Sequence, residues 1–358
     1  MCGIFCLSLE PGTALAQGAL SVLTRKMLLI AERRGREAAG VCAYSGGQTN
    51  YIKRPTSAST MVRAPEFEDF CTHSFGSAIQ SGTLKQGVSI IGHARLVTNG
   101  MRAFHANNQP FDANGFVGVH NGIIVNHAAF FADAQVVPEL DSLAIPARLR
   151  HHLDAGDAAK AANKKMLSEM QGVVSHLVIE TATGRVHAGS NNGSLYEFPL
   201  LTDGAPVGRL LMSENEMLRQ MEDTLAKFGL SLGPAHRYDP GIVDSWLSDP
   251  KVEVTDDRAI PARDLSALGD GRDANLTRCT TCLLPHTMPF IDFDEHGECN
   301  WCRNKLLTPL KERAELDVKL AELHKITDRP NCLIAVSGGR DSCYGLHLAT
   351  NALAPNPT

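Results

Sequence analysis

A cysteine stands directly behind the initiator methionine, and an apolar run follows at once: Met1-Cys2-Gly3-Ile4-Phe5. Gly3 to Ser8 alternates and is apolar enough for a buried strand, which would hold Cys2 at its start. Trimming of the methionine would give one residue both a thiol and a free α-amine. The thiolate is the nucleophile of sulfur chemistry, and a free cysteine is only slightly ionised at neutral pH. An α-amine titrates close to neutrality and can take the thiol proton, directly or through a water. Nucleophile and base in one residue is the N-terminal-nucleophile arrangement. The competing interpretation is a chance cysteine at a frayed terminus, and the rest of the chain decides between them.

Apolar positions at Leu20, Leu23, Met27, Leu28 and Ala31 predict a helix over Gln17 to Arg33, closed by Arg33-Arg34-Gly35. Val41 to Tyr44 and Asn50 to Lys53 read as strands around Ser45-Gly46-Gly47. Val88 to Ala94 is a β-branched run leading into Arg95. Phe116 to His120 is a strand that enters Asn121-Gly122 and leaves through Ile123-Ile124-Val125, which predicts a tight hairpin turn at Asn-Gly. Pro138-Glu139-Leu140-Asp141-Ser142 is expected to precede a helix through Leu149, and another helix is expected over Ala158 to Gln171. Val173 to Glu180 and Arg185 to Ala188 form a further hairpin around Thr183-Gly184. Ser213 and Glu216 have capping-box spacing ahead of a helix Met217 to Phe228. From Pro250 to Arg278, aspartates lie among glycine and proline with little periodicity, as in an interdomain linker.

At 358 residues the chain has room for two domains, or for one large domain with an appendage. Its 43% hydrophobic and 20% charged residues describe an ordinary globular protein. A net charge of −5 argues against coating nucleic acid or a membrane surface. No apolar run reaches the ~20 residues that span a bilayer. The N-terminus lacks a signal peptide's basic and apolar regions, and cleavage of one would discard Cys2. Ten cysteines, four of them in two CxxC pairs, suit metal binding in a reducing cytoplasm better than a disulfide framework.

Four motifs occur in order: Met1-Cys2-Gly3-Ile4-Phe5, Gly92-His93-Ala94-Arg95 with Thr98 following, His120-Asn121-Gly122, and Asp141-Ser142. Together they resemble the class II, N-terminal-nucleophile, glutamine amidotransferases. That resemblance implies an α+β fold with a four-layer αββα domain over residues 2–249, and glutamine as substrate. It implies that Cys2 attacks the side-chain amide of glutamine, giving a glutamyl thioester and ammonia. Arg95 would pair with the α-carboxylate, where a planar guanidinium binds bidentately. Asp141 would hold the α-ammonium, Thr98 would join them as a substrate-binding residue, and the Asn121 side chain with the Gly122 N–H would form the oxyanion hole.

Beyond the linker, residues 250–278, the knuckles Cys279-Thr280-Thr281-Cys282 and Cys299-Asn300-Trp301-Cys302 are separated by residues 283–298. Paired CxxC knuckles turn four sulfurs onto one tetrahedral centre, the pattern of a structural zinc ribbon, here over 279–305. A redox CxxC and an iron–sulfur cluster are the alternatives. Further on, Cys332 to Val336 reads as a buried strand, followed by Ser337-Gly338-Gly339-Arg340-Asp341-Ser342 and a helix beginning near Ser342. Exposed N–H groups at such a loop and helix start make an anion cradle. The loop resembles the SGGxDS pyrophosphate loop of the ATP pyrophosphatases. By that resemblance Ser337, Gly338, Gly339 and Ser342 would hold pyrophosphate and Asp341 would serve Mg2+.

The whole segment from Cys279 resembles the N-acetyl sugar amidotransferases. Its marks are Pro285-His286-Thr287-Met288-Pro289, Phe293-Asp294 to Gly297, the second knuckle, and Ser337 to Tyr344. Members of that family use ATP to turn an acetamido sugar into an acetamidino sugar for surface polysaccharides, with a nucleotide-linked N-acetyl sugar as acceptor. Residues 306–358 would then be the first βα unit of an α/β, Rossmann-like pyrophosphatase domain. The chain, ending one helix past the loop, is expected to be truncated and unable to complete the synthetase half-reaction. The resulting expectation is a cytoplasmic, glutamine-dependent amidotransferase that binds no nucleic acid, crosses no membrane and is compatible with a homo-oligomer. An asparagine-synthetase-like enzyme and a non-catalytic glutamine binder are the rivals; the zinc knuckles count against the first and the intact motif set against the second. A tRNA-thiolating enzyme shares the loop and knuckles but has no use for a glutaminase domain.

Overall fold

The computed structural model describes residues 2–96, 104–132, 137–252, 260–266, 277–286, 288, 291–304, 318, 321–322, 333–337 and 339–353. The chain divides into two compact units, Met1–Cys299 and Asn300–Thr358. In the first, β1 (Gly3–Leu9) leads to α1 (Ala19–Ala31), the hairpin of β2 (Ala38–Ser45) and β3 (Gln48–Arg54), α2 (Ala58–Met61) and α3 (Pro65–Phe75). Next come the short strands β4 (Ile79–Gln80) and β5 (Thr83–Leu84), then β6 (Val88–Arg95), β7 (Phe111–Ala113) and β8 (Phe116–Ile124). Helices α4 (Ala144–Asp154) and α5 (Ala159–Glu169) precede β9 (Gly172–Glu180), β10 (Val186–Ser190), β11 (Tyr196–Thr202) and β12 (Ala205–Met212). The unit continues through α6 (Asn215–Arg219), α7 (Glu222–Ala226), β13 (Ser231–Leu232), β14 (His236–Arg237), β15 (Ile242–Trp246) and β16 (Arg263–Asp264).

Two sheets face each other. The first runs β13-β11-β12-β1-β6-β2-β3-β16, with β14 also on β11, and the second runs β15-β10-β9-β8-β7. Strand alternation sorts the side chains. Ile4, Cys6 and Ile91 of the first sheet meet Val117, Val119, Leu177 and Ile179 of the second in one apolar layer. Phe5, Leu7, Ile52 and Ile90 point the other way, onto Leu20, Leu23 and Met27 of α1 and Phe67 and Phe70 of α3. On the far side of the second sheet, Phe116, Val174 and Val178 pack on Ile145 and Leu149 of α4 and Met166 of α5. The layers are therefore helices, sheet, sheet, helices, in a mixed α+β unit. Within the stretch expected to link the domains, β16 adds an edge strand parallel to β3. No helix among the described residues is long and apolar enough to cross a membrane.

Three local expectations fail. Asn121-Gly122 is not a hairpin turn: β8 passes straight through it, with Asn121 opposite Ser175 and Gly122 opposite Val174 on β9. The glycine is needed for another reason, since its φ is +147° and a Cβ there would lie 1.7 Å from the Val173 carbonyl oxygen. Ser213 caps no helix. Its hydroxyl accepts from Ile4 N at 2.8 Å and lies 3.2 Å from Ile4 O, so it pins the start of β1 instead. The helix expected after it is split into α6 and α7.

The third failure is in the second unit. Residues 333–337 form no strand, and Leu333 is 97% exposed. A strand of that composition is buried only between partner strands and covering helices, and no strand is formed among the described residues of this unit. The helix itself runs Arg340–Leu353.

Candidate active site

Cys2 lies just before β1 and, by alternation with Ile4 and Cys6, faces the space between the sheets. It is buried, 7% exposed. Close approach fixes it there: a Cβ on Gly3 would stand 2.5 Å from the Ala31 carbonyl oxygen at the end of α1. The backbone nitrogen of Cys2 donates to Asn121 Oδ1 at 2.9 Å, and its thiol contacts Leu96 O at 3.5 Å. Asn121 is fully buried, and its amide nitrogen has no partner among the described residues. A buried donor left unmatched costs about 1–3 kcal/mol, so this one is held for something. Burial pushes the Cys2 thiol above its ordinary range, while backbone hydrogen bonding at Leu96 and the Arg95 charge pull the other way. The thiol therefore waits protonated and needs a base.

Arg95 closes β6 on the same face as Ile91 and is buried. Its guanidinium donates to Asn108 Oδ1 at 2.9 Å. Desolvation lowers its pKa, opposed by Cys2, Glu37 and Asp141. Between them on β6, His93 is fully buried with both ring nitrogens unpartnered among the described residues, and desolvation with the Arg95 charge holds it neutral. Asp141, buried where a short 3-10 turn precedes α4, accepts from Ile124 N at 2.7 Å. Its neighbour Ser142 donates to Asp141 Oδ1 at 3.3 Å and meets His120 Nδ1 at 2.9 Å. Burial also lowers His120.

Cys2, Arg95, Asn121 and Asp141 thus line or flank one end of the inter-sheet layer, while Thr98 and Gly338 lie outside the described residues. Motif reading misses the residues that hold this set. Gln109 accepts from His120 N at 2.6 Å and donates to Ser142 Oγ at 3.1 Å. Lys53, on β3, donates to Asn108 O at 2.9 Å and to Pro110 O at 3.0 Å. A lysine in a strand that alternates into the core was the available signal.

Four sulfurs gather separately. The ligand atoms of Cys279, Cys282, Cys299 and Cys302 all lie within 4.8 Å of one another. Tetrahedral Zn–S bonds of about 2.3 Å imply sulfurs about 3.8 Å apart, and Cys282 Sγ to Cys299 Sγ is 3.6 Å. Burial alone would raise the Cys279 thiol, but the N–H groups of Cys282, Cys299 and Thr281 around its sulfur pull it below the usual thiol range. Gly297, at φ +74°, makes the turn before the second knuckle. The donor set fits zinc. In the second unit, Ser337 N and Oγ both reach Ser342 Oγ at 3.2 Å, and Ser342 Oγ donates to Gly339 O at 3.0 Å. Asp341 stands exposed in the first turn of the helix.

No family model matches the sequence. It is similar to the glutamine–fructose-6-phosphate aminotransferase (isomerizing) of Xylella fastidiosa (strain 9a5c), 26% identical over 187 residues, 51% of this chain and 27% of that protein. A probable enzyme of the same name from Acanthamoeba polyphaga mimivirus is 28% identical over 130 residues, 36% of this chain and 18% of that one. The matches thus span less than a third of either curated relative. Among solved structures, glutamine phosphoribosylpyrophosphate amidotransferase from B. subtilis aligns over 70% of this chain and 50% of its own, at 18% identity and a TM-score of 0.43. With the four motifs and the geometry around Cys2, similarity to these curated relatives supports an enzyme of the class II glutamine amidotransferase type.

Proposed function

We propose that residues 2–249 release ammonia from glutamine at Cys2. The observation that carries this reading is the Cys2 N to Asn121 Oδ1 bond of 2.9 Å, which orients the future α-amine and leaves the Asn121 amide nitrogen unspent. With Met1 removed, the α-amine takes the thiol proton and Sγ attacks the side-chain amide carbon of glutamine. The oxyanion that forms is held by Asn121 Nδ2 and the Gly122 N–H. Its collapse breaks the C–N bond, and ammonia leaves with the proton returned by the amine. Water then hydrolyses the thioester to glutamate. Arg95 and Thr98 receive the α-carboxylate end and Asp141 the α-ammonium. The neutral, buried starting thiol suits this sequence, because no permanent charge is stored before substrate arrives.

The finer reading follows from the second resemblance. Residues 250–278 link this domain to a structural zinc ribbon at 279–305, held by Cys279, Cys282, Cys299 and Cys302. Residues 306–358 begin an ATP-pyrophosphatase domain. There Ser337, Gly338, Gly339 and Ser342 would cradle pyrophosphate and Asp341 would serve Mg2+; the small exposed side chains curled at a helix start favour that fit. ATP, when bound, would activate the acetamido carbonyl of an N-acetyl sugar, and ammonia would convert it to an acetamidino group for surface polysaccharide. The test of the first claim is glutamate release from glutamine, expected from the wild type and absent from Cys2→Ala. Activity persisting in that variant would remove Cys2 as the nucleophile. For the second, the protein given glutamine, ATP and N-acetyl sugars should form an acetamidino sugar; asparagine formed from aspartate instead would reject it.

A further inference from the structure

Asn108, Gln109 and Pro110 connect the groups that the proposed function assigns to the two ends of glutamine. Asn108 Oδ1 accepts from Arg95, on the carboxylate side. Gln109 holds the His120 backbone and the Ser142 hydroxyl, and Ser142 holds Asp141, on the ammonium side. Side chains on a connecting segment aim accurately only if its backbone is fixed. Two carbonyls that flank Gln109, those of Asn108 and Pro110, point at one buried cation, Lys53 Nζ, at 2.9 and 3.0 Å.

That cation is unusual for its place. Lys53 is 5% exposed, and the ammonium of a lysine is among the most costly groups to bury. Its Nζ lies 5.7 Å from the centre of the Tyr51 ring, on the same strand face. The carboxylates of Asp112 and Asp264 favour its charge against the desolvation that opposes it. A residue serving only to fill the core at this position would be an aliphatic one. The carbonyl contacts make sense as a clamp.

We propose that Lys53 is a positioning residue for glutamine recognition: by clamping the carbonyls on either side of Gln109, it presents Asn108 to Arg95 and Gln109 to Ser142 and Asp141. The inference rests on the glutamine reading of Arg95 and Asp141 and deepens it, since Lys53 itself touches no substrate.

Two alkylating agents separate its effect from general damage. 6-Diazo-5-oxo-L-norleucine carries the α-amino acid head of glutamine, and iodoacetamide does not. Modification of the Cys2 peptide of the full chain is followed by mass spectrometry for each. Lys53→Met should slow the diazoketone by about tenfold to a hundredfold, the scale of a misplaced binding group, while iodoacetamide at Cys2 stays within about twofold. Asn108→Ala should give the same selective loss, and the double variant should add little to it, as residues in one network do. Equal slowing with both reagents, or none with either, overturns the proposal. If Lys53→Met fails to fold, Asn108→Ala decides: unchanged diazoketone labelling there also overturns it. Failure of the wild type to react with the diazoketone at Cys2 would instead reject the glutamine reading beneath it.

Discussion

The Asn121 side chain divides its two ends: its oxygen takes the Cys2 backbone nitrogen at 2.9 Å, and its nitrogen, fully buried, has no partner among the described residues. One amide thereby aims the nucleophile's own amine and reserves a donor beside it. Loss of a single oxyanion donor typically lowers turnover by about 10²–10³-fold. Asn121→Ala should therefore cut kcat for glutamate release on that scale with a smaller change in KM. Steady-state kinetics check it, and a variant within a few-fold of wild type in kcat would remove Asn121 from the reaction.

Gly122→Ala should be harmful in a different way. The residue holds φ +147°, and the added methyl would collide with the Val173 carbonyl oxygen. Relief requires β8 and β9 to part, so a loss of at least about 2 kcal/mol of stability is expected alongside lost activity. Thermal denaturation compared with wild type reads this directly. An unchanged melting curve would mean that the strand carries less constraint than its geometry states.

Lys53 gives a pH signature. Burial, opposed by Asp264 and Asp112, lowers it from its ordinary value to about 8. The unfolded chain would keep that proton up to about pH 10.4, so between these values the unfolded state binds more protons than the folded one. Stability arising from this group must then rise with pH across the window. Wild type should gain on the order of 2 kcal/mol relative to Lys53→Met between pH 8 and pH 10, all other titrations being shared. Denaturant unfolding at the two pH values measures the difference; parallel changes in both proteins would contradict it.

The four sulfurs should hold about one zinc ion per chain, measured by elemental analysis. Cys282→Ser should lose the metal, because three thiolates no longer close the tetrahedron. Zinc-free wild-type protein, or full retention in the variant, would count against the ribbon.

Much of this was legible in the sequence, and the exceptions share a physical cause. The run at Gly3, the spacing from Leu20 to Ala31 and the knuckles at Cys279 and Cys299 are local patterns that no long-range pairing overrides. Asn121-Gly122 carries the strongest short hairpin signal, yet the pairing of Asn121 with Ser175 and Gly122 with Val174 overrides it. Ser213 has capping spacing but spends its hydroxyl on Ile4, 209 positions away. Lys53, Asn108 and Gln109 belong to no motif because their roles exist only after β3, β6 and β8 converge. The buried strand expected before Ser337 is absent because burial there is a property of neighbouring strands.

The central claim is that Cys2, freed of Met1, forms a covalent bond to the glutamyl group. Acid-quenched protein mixed with glutamine should yield an N-terminal peptide beginning at Cys2 and carrying one added glutamyl group, released by hydroxylamine as a thioester would be. Glutamate release with the glutamyl adduct on any other residue, or from a chain that keeps Met1, would contradict the account.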